Sequence, residues 1–220
     1  MNAGAQYARL AAIAVAAWFV IALTASALGV FHAGPRPPLP LGLALGLPIL
    51  LFAAWHALSA GFRGFVYALD VRTLTIVQSW RLGGFVFLVL YAHGILPGAF
   101  ALPAGWGDIF IGATAWLAAN YLTEQAGRKR LFIAWQLLGV ADLATAVTLG
   151  VTSSPGPLRL FEGPVSTEAM TTPPLSLIPT FAVPLLLIFH FISIAQARRW
   201  QTKASARLVG SGLAAMAPSR

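Results

Sequence analysis

The residues of greatest chemical interest are the few charged and polar side chains that interrupt long apolar stretches of the sequence. Arg81 and Asp142 each lie within a stretch long enough to span a membrane. Their expected depths differ by roughly 7 Å at the rise of an α-helix, a gap that an arginine side chain nearly covers. Because an unpaired charge in hydrocarbon is costly, we expect an Arg81–Asp142 ion pair, with Gln78 and Gln136 satisfying the remaining donors and acceptors. This pair is either a structural clamp or a site for a ligand or proton.

A second pair of ionisable residues is expected near the other side of the membrane. His93 and Asp108 fall at matching depths on helices joined by a short turn. A carboxylate beside an imidazole can pass on a proton or admit a cation. Alternatively, Asp108 lies in the first turn of its helix, where the helix dipole stabilises a carboxylate without any further function.

The histidines allow another interpretation. His56 and His190 are expected at similar depths, and two facing imidazoles are the axial ligands of a b-type haem. His93 and His32 would ligate a second haem on the opposite side. The matching depths are the only feature that favours haem, since a single histidine in a membrane more often bonds to a neighbouring side chain.

Other catalytic and metal-binding patterns are absent from the sequence. The chain has no cysteine, which excludes thiolate chemistry and zinc–thiolate sites. It contains no H-E-x-x-H, G-x-S-x-G, P-loop or Rossmann glycine motif. We therefore assign no catalytic residue and no metal ligand, and we do not expect an enzyme.

The composition indicates an integral membrane protein. Of 220 residues, 58% are hydrophobic and only 9% are charged, whereas a soluble domain needs roughly 25% charged residues to cover its surface. The net charge of +8 does not indicate nucleic-acid binding, because the basic residues form short clusters between apolar stretches. We therefore predict an all-α bundle in contact with the lipid bilayer.

Six stretches are long and apolar enough to cross the membrane. They cover residues 10–31, 39–60, 73–96, 104–122, 131–150 and 176–197. They form one transmembrane domain over residues 1–200, followed by a basic cytoplasmic tail over residues 201–220 that we expect to be disordered. The motif formed by Ala25, Ser26 and Ala27 leaves open the possibility that the first stretch is cleaved as a signal peptide.

The basic residues set the expected orientation. With both termini in the cytoplasm, only Arg36 and Arg159 lie outside. The cytoplasmic basic residues are Arg9, Arg63, Arg72, Arg128, Lys129, Arg130, Arg198, Arg199, Lys203, Arg207 and Arg220. This asymmetry follows the positive-inside rule and favours six spans.

Two segments also resemble a family of small bacterial inner-membrane proteins that have no established activity. The first covers residues 72–114 and reads RTLTIVQSWRLGGFVFLVLYAHGILPGAFALPAGWGDIFIGAT, and the second covers residues 174–190 and reads PLSLIPTFAVPLLLIFH. The resemblance implies a bacterial source and a six-span protein. It supplies no ligand or catalytic residue.

The sequence thus favours a multi-pass protein of the bacterial inner membrane that handles a small solute, an ion or a proton. The expected site residues are Arg81, Asp108, Asp142, His93, Gln78 and Gln136. The alternatives are a b-type haem protein that uses His56 and His190, and a membrane assembly or anchoring subunit without chemistry. A protein partner or a homo-oligomer is compatible with each of these interpretations.

Overall fold

The computed structural model describes residues 3–32, 34 and 36–200, and this part of the chain contains helices and no strand. The predicted disordered tail, 201–220, lies outside the described residues. The eight α-helices of this described part are α1 (Ala3–Ala27), α2 (Leu39–Leu58), α3 (Ala60–Tyr67), α4 (Val71–Val77), α5 (Phe85–Ala92), α6 (Gly98–Tyr121), α7 (Lys129–Thr152) and α8 (Val183–Arg198).

Among the described residues, five helical stretches are long and apolar enough to cross a membrane. They are Gly4–Ala27, Leu39–Leu58, Val71–Ala92, Ala126–Thr152 and Ile178–Arg198. They correspond to five of the six predicted stretches and confirm the helical, membrane-type character of the chain. The remaining stretch, 104–122, overlaps α6 up to Tyr121, and α6 is not among these five helices. Asp108 and several Gly, Pro and Trp residues lower its mean hydropathy.

The third apolar stretch is a continuous helical segment that changes its winding in the middle. Asp70 caps it by accepting hydrogen bonds from the backbone nitrogens of Arg72, at 3.1 Å, and Thr73, at 3.0 Å. A further hydrogen bond from the Thr73 side chain lowers the pKa of Asp70. Between α4 and α5, residues Gln78–Gly84 form a 3₁₀-helix. This tighter winding brings side chains three residues apart onto one face.

Helix α6 packs its small side chains against this 3₁₀ segment. It begins at Gly98, directly after Pro97, and not near residue 104 as the hydropathy predicts. Pro97 precedes the helix, but Pro103 lies inside it. The turn between the third and fourth stretches therefore does not extend to Pro103. The buried small residues of α6 are Ala101, Ala104, Gly105, Gly112, Ala115, Ala118 and Ala119. They allow the backbones of the two segments to approach closely.

The first helix contacts the last helical segment through polar groups. The Trp18 indole nitrogen donates to the backbone oxygen of Thr180 at 3.1 Å, and Ser26 bonds to Ser176. Thr180 lies in a π-helical turn, Ile178–Ala182, that precedes α8. These contacts connect α1 to the part of the bundle that carries α8.

Candidate functional site

A buried arginine connects three helical segments at the centre of the candidate site. Arg81 lies in the 3₁₀ segment, and its Nε donates to Asp108 Oδ1 on α6 at 2.7 Å. Its Nη2 donates to Asp142 Oδ2 on α7, and its Nη1 donates to the backbone oxygen of Gly139 at 3.2 Å. One guanidinium therefore holds two carboxylates in fixed positions.

The two carboxylates are more exposed than the arginine between them. The Arg81 side chain is 1% exposed, whereas those of Asp108 and Asp142 are 14% and 15% exposed. The carboxylates therefore reach the surface of the described structure, while the guanidinium does not.

The cluster contains one more negative group than positive groups. Arg81 is the only cation that pairs with Asp108 or Asp142 among the described residues. With both carboxylates ionised, the three side chains carry a formal charge of −1. A buried charge that lacks a partner is costly, so this imbalance is the main chemical feature of the site.

Glycines make room for each member of the cluster. A Cβ atom at Gly84 would contact the Asp108 side chain, and one at Gly107 would contact the Asp142 carboxylate. A Cβ atom at Gly112 would contact the backbone of Arg81 and Leu82. The helices can therefore approach closely enough for the arginine to reach both carboxylates only because these positions lack side chains.

Hydrogen bonds extend the cluster toward the start of α4. The Arg81 Nη1 atom lies 3.4 Å from His190 Nε2, and the other ring nitrogen of His190 bonds to Gln136 Oε1. Gln136 Nε2 donates to Thr75 Oγ1 at 3.4 Å, and Thr75 Oγ1 donates to the backbone oxygen of Val71 at 2.8 Å. His190, Gln136 and Thr75 are all fully buried.

Two of these residues were not predicted as part of the site. Thr75 is absent from the predicted site residues, and the sequence predicts His190 only as a haem ligand. The spacing of polar residues contains a signal that could have found Thr75, because Thr75, Gln78 and Arg81 recur every third residue. A three-residue repeat matches the period of the 3₁₀-helix that includes the last two of them.

Gln78 and His93 lie apart from the cluster. Gln78 Nε2 donates to the backbone oxygen of Leu186 on α8 at 3.3 Å, and its Oε1 has no hydrogen-bond partner within the described ranges. His93 is exposed at the end of α5, and its side chain takes part in no hydrogen bond or ion pair in the described structure. Asp108 pairs instead with Arg81 and lies well inside α6, so the expectation that it occupies a first helical turn is wrong.

The proposed haem ligands have other contacts. The His56 ring stacks on Phe52 with a centroid distance of 6.0 Å, and both ring nitrogens of His190 have side-chain neighbours within hydrogen-bond distance. His32 lies beside Glu168, with Nε2 to Oε1 at 3.4 Å. An axial ligand needs a free imidazole nitrogen, which His190 offers only if one of its present contacts breaks.

The described residues also contain no group of three or more His, Cys, Asp or Glu side chains that could hold a metal ion. The strongest constellation is therefore the arginine with two aspartates. Its chemistry is that of a proton or a small cation at a carboxylate.

Comparison with known proteins identifies a family. A family model described as Domain of unknown function (DUF8737) matches residues 38–198, and the chain belongs to this family. The matched region contains Arg81, Asp108, Asp142, Gln136 and His190, and it begins just before α2. No curated protein and no solved structure matches the chain.

Proposed function

We propose that this chain is a six-span membrane protein that binds and exchanges a proton at the cluster of Arg81, Asp108 and Asp142. The observation that carries this proposal is the pairing of one guanidinium with two carboxylates. A proton on either carboxylate makes the cluster neutral overall. The remaining carboxylate keeps its ion pair with the arginine.

The membrane environment supports a proton as the exchanged species. A net charge within hydrocarbon costs several kcal/mol (about 3 kcal/mol on insertion scales). Two carboxylates that share one site also disfavour each other's ionisation. The partial exposure of both aspartates supports their access to a proton, and the burial of Arg81 keeps the compensating charge in place.

We further propose that α6 also spans the membrane, which brings the number of spans from five to six. The protein then lies in the inner membrane of a bacterium, with both termini in the cytoplasm. Asp108 of α6 bonds to Arg81, which lies in the apolar stretch Val71–Ala92. A helix that bonds to a residue in the middle of a membrane-spanning stretch must itself enter the membrane. The distribution of basic residues supports the orientation.

Proton movement can be measured with the purified full-length protein in lipid vesicles that enclose a pH-sensitive dye. After an external pH step, with the membrane potential held near zero by potassium and valinomycin, we expect the internal pH to change faster than in protein-free vesicles. Asp108→Asn and Asp142→Asn should each remove this difference, because an amide cannot exchange a proton in this pH range.

Asp70→Asn is the matched control, since Asp70 is an exposed carboxylate outside the apolar stretch. It should leave the flux unchanged. Wild-type vesicles that are no faster than protein-free vesicles would contradict the proposal. Full flux in both cluster variants would contradict it as well.

A further inference from the structure

We infer that His190 remains neutral, with its hydrogen on Nδ1, and that it is a positioning residue that orients Arg81 rather than the group that carries the proton. This inference rests on the proposed function and deepens it by assigning His190 a positioning role beside the carboxylates that exchange the proton. The donor and acceptor of each hydrogen bond in the series from Arg81 to Val71 support this assignment.

Arg81 sets the donor and acceptor roles in this series of hydrogen bonds. A guanidinium has only N–H donors, so His190 Nε2 accepts when Arg81 Nη1 approaches it at 3.4 Å. A neutral imidazole that accepts at Nε2 carries its hydrogen on Nδ1. That nitrogen bonds to Gln136 Oε1, which is an acceptor. The two contacts of the ring therefore require the same tautomer.

The remaining hydrogen bonds in the series have the same order of donor and acceptor. Gln136 Nε2 donates to Thr75 Oγ1 at 3.4 Å, and the Thr75 hydroxyl hydrogen is directed to the Val71 backbone oxygen at 2.8 Å. Reversal of the Gln136 amide would place an N–H group against Nδ1. His190 would then need two acceptor nitrogens and no hydrogen, which a neutral imidazole does not allow.

Protonation of His190 would oppose this arrangement. An imidazolium has N–H donors at both nitrogens, so its Nε2–H would face the Nη1 donors of Arg81. The ring also bonds to Gln136, lies 6.1 Å from the Trp135 ring between centroids, and occupies the space that a Cβ atom at Gly139 would fill, and none of these three residues is an anion. The cluster's proton therefore resides on Asp108 or Asp142.

The contact with His190 also completes the arrangement of Arg81. Nε and Nη2 each bond to a carboxylate, and Nη1 faces both the Gly139 backbone oxygen and His190. Contacts at all three nitrogens together fix the orientation of the guanidinium plane. A side chain without an acceptor at position 190 would leave Nη1 with the Gly139 contact alone.

Nitrogen-15 NMR of the full-length protein labelled at histidine tests the inference directly. The chain has four histidines, and comparison with His190→Gln assigns the ring signals of His190. We expect the neutral Nδ1–H tautomer across the whole pH range in which the cluster takes up its proton. An imidazolium signal that appears as the cluster is protonated would overturn the inference, and so would the Nε2–H tautomer.

A pair of substitutions tests the positioning role by its effect on proton flux. The side-chain oxygen of His190→Gln can accept from Arg81 in place of Nε2, so we expect flux close to that of the wild type. His190→Leu removes the acceptor, and we expect flux to fall at least about tenfold. Loss of flux in both variants would indicate that the imidazole itself carries the proton and would overturn the inference.

The two proposals can fail separately. If wild-type vesicles show no flux, the proposed function fails whatever the NMR signals of His190 show. If flux depends on both aspartates while His190 becomes an imidazolium, the proposed function stands and the inference about His190 fails.

Discussion

At the scale of single residues, Arg81 determines the properties of the site because one planar guanidinium bonds to groups on three helices. Two nitrogens donate to Asp108 and Asp142, and a third faces Gly139 and His190. A lysine has one compact ammonium group and cannot reproduce this planar geometry. The identity of the cation therefore matters as much as its charge.

We predict that Arg81→Lys retains one carboxylate contact and loses the other. The free energy of unfolding in detergent should fall by about 2 kcal/mol, since a hydrogen bond to a charged group is lost in a buried site. Arg130→Lys is the control, because Arg130 is exposed and its side chain has no hydrogen bond or ion pair in the described structure. Equal stability of the two variants would contradict the assigned role of Arg81.

The sequence predicts part of this cluster for a clear physical reason. The cost of isolated charge in hydrocarbon identifies Arg81 and Asp142 as partners, and the structure pairs them. Asp108 was expected near His93 because hydropathy placed the start of its helix near residue 104. The helix begins at Gly98 and not near residue 104. This earlier start places Asp108 further along the helix, so Asp108 no longer shares a depth in the membrane with His93. The hydrogen bond of His190 to Gln136 depends on tertiary packing, which no local pattern encodes.

At the scale of elements, the 3₁₀ segment and α6 depend on each other. The tight winding of Gln78–Gly84 presents Arg81 to α6, and Gly84 leaves space for Asp108. Hydropathy detects the whole stretch as one apolar helix and does not distinguish the 3₁₀ winding within it. The local geometry depends on the close packing with α6, so it could not be predicted from the apolar pattern alone.

Two adjacent glycines allow a matched test of this close packing. Gly84→Ala should destabilise the protein by about 1–3 kcal/mol, because the new Cβ atom collides with Asp108. Gly83→Ala has the same change in helical propensity, and its Cβ atom would meet nothing within 4 Å. Thermal unfolding in the same detergent compares the two. A Gly83→Ala variant that is as destabilised as Gly84→Ala would contradict the proposed contact.

At the scale of the whole molecule, the main difference between sequence and structure concerns α6. Hydropathy predicts six spans, and in the part of the chain that the structure describes five helical stretches are long and apolar enough to cross a membrane. The fourth predicted stretch, 104–122, contains Asp108, which bonds to Arg81, and the same residue lowers the mean hydropathy of this stretch. The residue that makes α6 part of the site therefore also makes it harder to detect as a span.

The position of α6 in the membrane can be tested with single cysteines, because the natural chain has none. Ile95 lies just before the start of α6 and Gln125 just after its end, and both residues are exposed. If α6 spans the membrane, a membrane-impermeant maleimide added to intact cells should label Ile95→Cys and should label Gln125→Cys only after permeabilisation. Labelling of both residues from the same side would contradict the sixth span.

We propose that the Arg81 cluster holds one exchangeable proton on a carboxylate. Infrared difference spectroscopy of the purified full-length protein between acidic and alkaline pH measures this directly, through the C=O stretching band of a protonated carboxyl group. We predict a band that disappears in both Asp108→Asn and Asp142→Asn, since each leaves one carboxylate for one guanidinium, and that persists in Asp70→Asn. A band that is unchanged in the two cluster variants would show that the titrating carboxyl lies elsewhere and would contradict the account.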